Sequence, residues 1–362
     1  MNILHIYKDY HPILGGIENH VKVLAEAQAA SGHQVTVLVC DPGLRTRVKE
    51  INGVRVIKAG RLATVASMPL SLSQLTILAR LRPDIAHVHS PYPLGEAANW
   101  LLGHARATVI THHSDVVRQR GWLRLYGPLL RRVLRAAGRI IATSPRYIET
   151  SPWLWSVREK CLVVPLGVDS ARFTPPADQL ANQPILLFTG RLRYYKGLGT
   201  LLHALSLLPG VRSVVVGDGP MREEWERLTD MLNLRDRVTF AGEVPDEDLP
   251  GYYHAAGIFV LPANARAEAF GVVLLEAMAS GLPCITTEVG TGTSWVVQDG
   301  ITGLVVPPRT PQALADAIRS LLGAPQRRAT MGQAGRARVE AEFTLERMIA
   351  RVQAVYEEAL EA

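Results

Sequence analysis

Between positions 268 and 276 the chain reads Glu268-Ala-Phe-Gly-Val-Val-Leu-Leu-Glu276, two carboxylates with seven residues between them. The apolar segment Gly257–Pro262 precedes this stretch and Leu282–Thr286 follows it, and both are typical of short buried strands. The pattern predicts a strand–loop–helix–strand unit, with Glu268 in the loop and Glu276 about two turns into the helix. Ligands bind outside the carboxyl ends of the strands in open α/β sheets, so both glutamates are candidate binding residues.

The same alternation of short apolar strands and amphipathic helices runs through the whole chain. In the first half the predicted strands are Ile3–Tyr7, Gln34–Val39, Val54–Lys58, Ile85–Val88, Thr108–Thr111 and Ile140–Ala142. In the second half they are Pro184–Thr189, Ser213–Val216, Arg237–Ala241, Ile258–Leu261, Pro283–Thr286 and Gly303–Val305. This order predicts an α/β protein with two doubly wound parallel sheets. We expect one domain over residues 1–170, a second over 171–344, and a C-terminal helix, 345–362, that packs back on the first.

Length and composition agree with a folded protein of two domains. The chain has 362 residues, of which 48% are hydrophobic and 20% are charged. The three cysteines, Cys40, Cys161 and Cys284, are isolated, which favours a reducing compartment and a protein without a disulfide framework. The first residues are typical of a buried strand rather than a secretion signal, and no apolar run approaches the roughly 20 residues that span a bilayer. We therefore expect a cytoplasmic location.

The charge is concentrated in the first half. Residues 1–170 contain 21 Lys and Arg against 11 Asp and Glu, whereas residues 171–362 contain 18 against 22. A predicted helix, Val116–Arg139, carries much of this charge on one side and apolar residues on the other. Such a surface suits the anionic inner face of a membrane, although a core helix with a solvated basic side has the same pattern. No nucleic-acid-binding motif accompanies the arginines. The predicted membrane-facing residues are Arg118, Arg120, Trp122, Arg124, Arg131, Arg132 and Arg135.

Three glycine-containing turns follow predicted strands. Gly16 lies between the first strand and a helix expected near Asn19. The loop that contains it lacks the three-glycine spacing of a nicotinamide-binding site. Gly190 ends a strand before Arg191 and Lys196, two cations that could hold a diphosphate or could be solvated surface charges. Gly217 follows the next strand, where it permits close approach of a ligand or simply forms a tight turn.

Together these segments resemble the GT-B glycosyltransferases, in particular the large family 4 of retaining enzymes, over nearly the whole chain. The most specific parts are the stretch from Glu268 to Gly281, the turn Gly190-Arg-Leu…Lys196-Gly197 and the segment Pro165-Leu-Gly-Val-Asp169. The resemblance implies two Rossmann-like domains facing a cleft, with a nucleotide-sugar donor held mainly by the C-terminal domain. Attack on the same face that the leaving group occupies would explain retention, with the leaving phosphate helping to deprotonate the acceptor.

The resemblance also implies a role for each matching residue. Arg191 and Lys196 would hold the diphosphate without a metal, and Glu276 would accept hydrogen bonds from the ribose. Glu268 would hold the donor sugar together with the backbone of Ala269, Phe270 and Gly271. The remaining predicted donor-binding residues are Gly16, Gly217 and, at the base, Val244.

A histidine pair follows a strand of the first domain, where the family places a histidine near the reacting sugar. We favour His113 over His112, although the sequence does not exclude either, and we expect Asp115 to cap the next helix. The acidic pair Asp246 and Asp248 has the spacing of a metal motif, but acidic residues are also expected at a helix start, and we predict no metal and no cofactor.

Further segments resemble bacterial mannosyltransferases of polysaccharide and O-antigen assembly, notably His113–Gln119, Tyr194–Gly197, Gly290–Ser294 and Gln298–Pro308. The resemblance favours GDP-mannose as donor and a lipid-linked or glycan acceptor at the cytoplasmic membrane face. A UDP-sugar donor and a catalytically inactive nucleotide- or lipid-binding protein remain alternatives. An epimerase or a phosphorylase could share the two-domain frame, but no lysine site for pyridoxal phosphate is evident.

Overall fold

The computed structural model describes residues 1–13, 15–65, 68–115, 120–176 and 185–361, without the side chains of residues 120–123 and 125. It divides the chain into two compact units. The first contains Met1–Val164 and Met348–Ala362, and the second contains Pro165–Arg347. The last helix therefore continues from the second unit into the first.

The strands and helices alternate as the sequence predicts. The strands are β1 (Asn2–Ile6), β2 (Gln34–Cys40), β3 (Arg47–Ile51), β4 (Val54–Ala59), β5 (Ala63–Val65), β6 (Met68–Leu70), β7 (Ile85–Ser90), β8 (Ala107–His112), β9 (Arg139–Ala142), β10 (Cys161–Val163), β11 (Ile185–Thr189), β12 (Ser213–Val216), β13 (Val238–Gly242), β14 (Ala256–Leu261), β15 (Cys284–Thr287) and β16 (Gly303–Val306). The helices are α1 (Gly16–Ala30), α2 (Leu72–Leu78), α3 (Pro93–Leu102), α4 (Arg120–Ala136), α5 (Pro145–Thr150), α6 (Leu198–Ser206), α7 (Arg222–Met231), α8 (Leu249–His254), α9 (Val272–Ala279), α10 (Thr293–Val296), α11 (Pro311–Leu322), α12 (Pro325–Glu342) and α13 (Leu345–Glu361). Two 3₁₀ turns span Trp155–Lys160 and Tyr194–Lys196.

The first unit is built on an eight-stranded sheet with the order β10-β9-β8-β7-β1-β2-β4-β3. All pairs are parallel except β3 with β4. The chain proceeds from β1 to β2 on one side and places β7 on the other, so the strand order reverses at β1. In open α/β sheets this switch point is where ligands bind. Gly16, the first residue of α1 after β1, and His113, in the loop after β8, both lie at the carboxyl edge of this sheet.

The second unit has a six-stranded, fully parallel sheet with the order β13-β12-β11-β14-β15-β16. Its strand order reverses between β11 and β14. The loop after β11 carries Gly190, Arg191 and Lys196, and the loop after β14 carries Glu268. The two stretches that the sequence marked for ligand binding thus leave neighbouring strands at the switch point of one sheet.

Two helix starts differ from the sequence-based expectation. Helix α9 begins at Val272, so Glu276 is its fifth residue, little more than one turn from the start rather than two. Gly271 sets this start because it adopts a left-handed conformation, φ +82°, immediately before the helix. Helix α1 begins at Gly16, three residues before the expected Asn19.

The arrangement of polar and apolar residues explains why these elements are stable. The central strands β7, β11 and β14 are buried almost throughout, as expected for parallel strands covered on both faces. The edge strand β3 is exposed over nearly its whole length, and its polar sequence hid it from the sequence-based prediction. Among the described residues, we find no helix with the length and apolar character needed to cross a membrane.

Candidate functional site

A buried ion pair lies at the switch point of the second sheet. Nζ of Lys196 is 2.8 Å from Oε2 of Glu268, and both side chains are almost inaccessible to solvent. Burial by itself would lower the pKa of Lys196, but the charge of Glu268 and its hydrogen bond outweigh that effect and raise the pKa. Lys196 therefore stays cationic at neutral pH, which a ligand for a diphosphate requires.

Glycines bring the two loops of this pair together. Gly197 adopts φ +75°, and a Cβ built there would lie 1.9 Å from the carbonyl oxygen of Pro262, at the end of β14. Gly190 adopts φ +123°, and its Cβ would lie 3.3 Å from Nζ of Lys196. Only glycine tolerates both the conformation and the contact at Gly197. The turn after β11 can therefore pack directly on the backbone that leads to Glu268.

A second buried carboxylate, Glu276, belongs to a chain of hydrogen bonds beside this pair. The hydroxyl of Tyr253 donates to Oε2 of Glu276 over 2.6 Å, and it is 2.8 Å from Oγ1 of Thr189. Burial raises the pKa of Glu276, while the bond from Tyr253 and the charges of Arg172 and Lys196 oppose that rise. Sequence analysis missed Tyr253, because the two residues that it joins are 64 and 23 positions away in the chain.

The backbone between the two glutamates has unused donors. The carbonyl of Glu268 accepts from Thr291, and the carbonyl of Ala269 accepts from the N–H of Gly292. In the part of the chain that the structure describes, the N–H groups of Ala269, Phe270 and Gly271 donate no hydrogen bond. The ring of Phe270 packs on Trp295, so only its backbone is available to a ligand. Free N–H groups at the start of a helix are a favourable environment for anionic or hydroxyl oxygens.

The remaining predicted residues of the second unit lie around this group or near it. Arg191 is exposed directly after Gly190. Gly217 packs against Gly190 so closely that a Cβ would lie 2.2 Å from its carbonyl oxygen. Val244 is half-buried against the core of the unit, in the loop after β13. The structure therefore brings together Gly190, Lys196, Gly217, Glu268 and Glu276.

The acidic pair Asp246 and Asp248 is exposed and precedes α8, where Asp248 occupies the cap position. Among the described residues, the groups with metal-ligand geometry are instead histidine triads of the first unit. Sequence analysis did not single out these triads.

In the first unit the two adjacent histidines have different surroundings. His112 uses both ring nitrogens: Nε2 is 3.0 Å from Oδ1 of Asp115 and Nδ1 is 3.4 Å from Oγ of Ser90. The same Oδ1 accepts a hydrogen bond from Ser151, and residues 116–119, where the predicted helix cap would act, lie outside the described residues. Nε2 of His113 contacts Nδ1 of His89, and no described residue is bonded to its Nδ1. His113 is thus the better placed of the two to contact a ligand.

Gly16 is the first residue of α1, and a Cβ built there would meet no atom of a described residue within 4 Å. The described residues therefore leave room beside Gly16 for the predicted approach of a ligand. Gly15 before it occupies the cap position without a side-chain hydrogen bond, so the first N–H groups of α1 depend on other partners.

The basic helix α4 packs its apolar side into the first unit. Leu130, Val133 and Leu134 are buried, so these residues are not available to a membrane. The predicted membrane-facing arginines with described side chains are all exposed: Arg124, Arg131, Arg132 and Arg135. Arg131 also lies over the ring of Trp153, 5.5 Å from its centre. Arg118 and the side chains of Arg120 and Trp122 fall outside the described residues.

Comparison with known proteins identifies the class of enzyme. The family model for glycosyl transferases group 1 matches residues 173–338, and the model for glycosyltransferase family 4 matches residues 14–172. The chain is 38% identical to the D-rhamnosyltransferase WbpZ of Pseudomonas aeruginosa over 354 residues, covering 95% of this chain and 92% of that protein. It is 34% identical to the O-antigen chain mannosyltransferase C of Escherichia coli, with both chains covered completely.

A solved structure agrees with these matches. The sucrose-phosphate synthase of Thermosynechococcus elongatus superposes with a TM-score of 0.83 at 27% identity, covering 98% of each chain. The fold is therefore GT-B, as the sequence predicted, and the protein is a glycosyltransferase. The chain belongs to the group 1/family 4 glycosyltransferases.

Proposed function

We propose that this protein is a retaining glycosyltransferase that transfers mannose from GDP-mannose, without a metal, to a lipid-linked or glycan acceptor at the cytoplasmic face of a membrane. The observation that supports the proposal most directly is the buried Lys196–Glu268 pair beside Glu276, at the switch point of the second sheet. A cation, two carboxylates and open N–H groups in one place match the diphosphate, ribose and sugar of a nucleotide-sugar donor.

In this proposal Lys196 and Arg191 stabilise the nucleoside diphosphate as it leaves. A buried ammonium is effective in this role because its charge is weakly screened, and its raised pKa keeps it protonated. These two cations could take the place that a divalent metal occupies in other transferases. Glu268 holds Lys196 in position before the donor binds, and it contacts sugar hydroxyls afterwards.

Glu276 is proposed to accept the two ribose hydroxyls. Tyr253 occupies one carboxylate oxygen, Oε2, and among the described residues no hydrogen bond is made to the other, Oε1. Tyr253 therefore orients the carboxylate and leaves one oxygen for the ligand. His113 and Gly16 of the first unit are proposed to contact the donor sugar and the diphosphate, and Gly217 and Val244 are proposed to contact the nucleoside.

The sugar is inferred from the two relatives together. One is a mannosyltransferase and the other a D-rhamnosyltransferase, and D-rhamnose is mannose without its 6-hydroxyl. Both sugars have the same axial 2-hydroxyl, so a donor with the manno configuration is the common element. UDP-sugars are the alternative donors. Both relatives are enzymes by name, which disfavours an inactive binding protein, and the O-antigen relative supports polysaccharide assembly as the process.

The experiment measures release of nucleoside diphosphate from GDP-mannose, GDP-D-rhamnose, UDP-glucose and UDP-N-acetylglucosamine, with and without a lipid-linked acceptor and with EDTA. We expect turnover of GDP-mannose that EDTA does not reduce. Lys196→Ala alone would leave a buried carboxylate unpaired and could unfold the unit at a cost of about 3–5 kcal/mol. The informative variant is therefore Lys196→Met combined with Glu268→Gln, which removes both charges at once.

We expect kcat of this double variant to fall at least 100-fold, the order of loss seen when a single charge-stabilising donor is removed from an active site. Arg212→Met is the matched control, because Arg212 is an exposed cation of the same unit outside the group at the switch point. Wild-type kcat in a folded double variant would refute the assigned roles. Turnover of UDP-sugars alone would establish the alternative donor, and binding of nucleotide without any turnover would establish the inactive protein.

A further inference from the structure

His113 is the last member of a buried row of histidines on one face of the first sheet. His5 lies on β1, His87 and His89 lie on β7, and His113 follows β8. His5 pairs with His87 across the parallel strands, and His89 pairs with Thr111. Because side chains two positions apart share a face of a strand, all these residues project from the same side of the sheet. Helix α1 contributes Gln28 to the same cluster, and α13 contributes Tyr356.

Hydrogen bonds join this row into a continuous line. Oε1 of Gln28 is 2.7 Å from Nε2 of His5. Nδ1 of His5 is 3.1 Å from Nε2 of His89, and Nδ1 of His89 is 3.0 Å from Nε2 of His113. Each imidazole thus contacts the next through its opposite nitrogen, and the line ends at the histidine that the proposed function places near the sugar.

The direction of every proton in the line follows from its first member. An amide oxygen only accepts hydrogen bonds, so Nε2 of His5 must carry the proton. Burial lowers the pKa of His5 to about 4 and the pKa values of His89 and His113 well below normal, so all three rings are neutral at pH 7. Nδ1 of His5 is then an acceptor and Nε2 of His89 the donor to it. The same step repeated gives His113 a protonated Nε2 and a bare Nδ1.

A second branch starts from the nitrogen of the same amide, and its direction follows from the same amide orientation. Nε2 of Gln28 donates to the hydroxyl of Tyr356 over 3.2 Å. That hydroxyl is 2.6 Å from Nδ1 of His87, whose Nε2 is 2.6 Å from Oγ1 of Thr111. With the amide nitrogen toward Tyr356, the phenol donates to His87 and His87 donates to Thr111. Reversing the amide would require every proton in both branches to change place.

We propose that Gln28, His5 and His89 are positioning residues that hold His113 in the tautomer with a protonated Nε2, so that its Nδ1 is a hydrogen-bond acceptor for a hydroxyl of the donor sugar. The part of this proposal that concerns the sugar rests on the proposed function; the tautomer does not. A sugar hydroxyl that donates to Nδ1 keeps its own oxygen lone pairs for other donors. We call the hydrogen-bonded line of Gln28, His5, His89 and His113 the relay. The relay makes Nδ1 of His113 an acceptor before the substrate binds.

This cluster contains two triads whose ring nitrogens lie within 4.8 Å of one another. One consists of His5, His87 and His89, and the other of His20, His89 and His113. A metal ion bound by either triad would need the lone pairs that the relay uses. Nε2 of His20 is buried there with no partner among the described residues, and its ring meets His89 and His113 edge-on. The metal content of the purified protein therefore tests the relay as well.

The test is nitrogen NMR of protein labelled with ¹⁵N-histidine, which distinguishes protonated from bare ring nitrogens at each histidine. In the wild type we expect His113 and His89 with bare Nδ1 and protonated Nε2. His89→Phe cuts the line, and His113 should then populate both tautomers. Thr111→Val is the matched control, because it removes only the last hydrogen bond of the second branch and keeps the bond between Gln28 and Tyr356. If His89→Phe fails to fold, His5→Phe cuts the line one residue earlier and should give a mixture at His89.

Activity is measured on the same samples. We expect kcat/KM for GDP-mannose to fall roughly three- to tenfold in His89→Phe, the effect of one misdirected hydrogen bond, and to stay near the wild-type value in Thr111→Val.

A protonated Nδ1 on wild-type His113, an unchanged tautomer in His89→Phe, or stoichiometric metal in the cluster would each overturn the relay. Equal kcat/KM in wild type and His89→Phe, with the tautomer lost, would overturn its role toward the sugar. A fixed tautomer in a protein that turns over no nucleotide sugar would uphold the relay and refute the proposed function instead.

Discussion

The buried histidines make the stability of the first unit sensitive to mild acid. Burial lowers the pKa of His5 and of His20 from 6.5 to about 4, and it lowers the pKa values of His87, His89 and His113 well below 6.5. Between about pH 6.5 and pH 4 the unfolded chain takes up protons that the folded unit excludes. The free energy of unfolding must therefore fall as the pH falls through this window, and it is fully retained above it.

The magnitude follows from these pKa values. For one histidine with pKa 6.5 unfolded and about 4 folded, going from pH 7 to pH 5 removes about 2 kcal/mol of stability. His5 and His20 together should therefore remove about 4 kcal/mol, and all five buried histidines at most about 9 kcal/mol. A typical domain has about 5–15 kcal/mol in total, so the first unit should approach unfolding near pH 5. Most carboxylates remain ionised at pH 5, so this window isolates the histidines.

Hydrogen exchange read by mass spectrometry separates the two units in one experiment. Opening free energies of peptides from β1 and β7, corrected for intrinsic exchange rates, should drop by at least about 4 kcal/mol between pH 7 and pH 5. Peptides from β11 and β14 of the second unit should change little, because the described histidines of that unit, His203 and His254, are exposed.

The control variant is His20→Phe, which keeps an aromatic ring beside His89 and His113 and removes one titrating group. Its loss of stability between the two pH values should be smaller than that of the wild type by about 2 kcal/mol. Opening free energies of β1 and β7 peptides that change by less than about 1 kcal/mol between pH 7 and pH 5 would contradict the reasoning. The histidine rings would then be protonated, or solvated, in the folded unit.

Two further predictions concern the second sheet and the basic helix. Gly217→Ala should lower the free energy of unfolding in urea by roughly 2–4 kcal/mol, because the new Cβ would lie 2.2 Å from a carbonyl oxygen. Gly210 also has a positive φ, but no described atom lies within 4 Å of its Cβ position, so Gly210→Ala should lower it by only about 1–2 kcal/mol. Equal losses would show that the contact at Gly217 is unimportant. The combined variant Arg132→Glu and Arg135→Glu should lower the affinity for anionic liposomes, measured by flotation, by about 30-fold or more, since each basic residue contributes about 1 kcal/mol. Arg212→Glu should leave this affinity unchanged. An unchanged affinity in the double variant would refute the membrane proposal.

The local chemistry of the second unit was predictable because its signals are contiguous in the chain. A strand, a glycine turn and a cation follow one another from Ile185 to Lys196, and both glutamates lie within nine residues. Even there the helix start was misplaced, since the apolar residues after Gly271 fit a loop, a strand or a helix equally well. Only the left-handed conformation of Gly271 decides where α9 begins.

The histidine relay was not predictable, because its members come from distant parts of the chain. His5 and His89 are 84 positions apart, and Tyr356 is 269 positions from His87. The sequence shows only isolated histidines in apolar strands. Parallel pairing of β1, β7 and β8 decides that their side chains share one face, and the packing of α1 and α13 decides which groups complete the hydrogen bonds.

The sequence by itself determined the α/β fold class of this protein. Periodic apolar strands between helices require parallel sheets, and turn residues at strand ends identify the edge where ligands bind. Tertiary structure alone decided which polar side chains meet: Lys196 with Glu268, and Glu276 with Tyr253. The physical reason is that strand order within a sheet is set by long-range packing, which no local pattern records, and strand order determines which loops become neighbours.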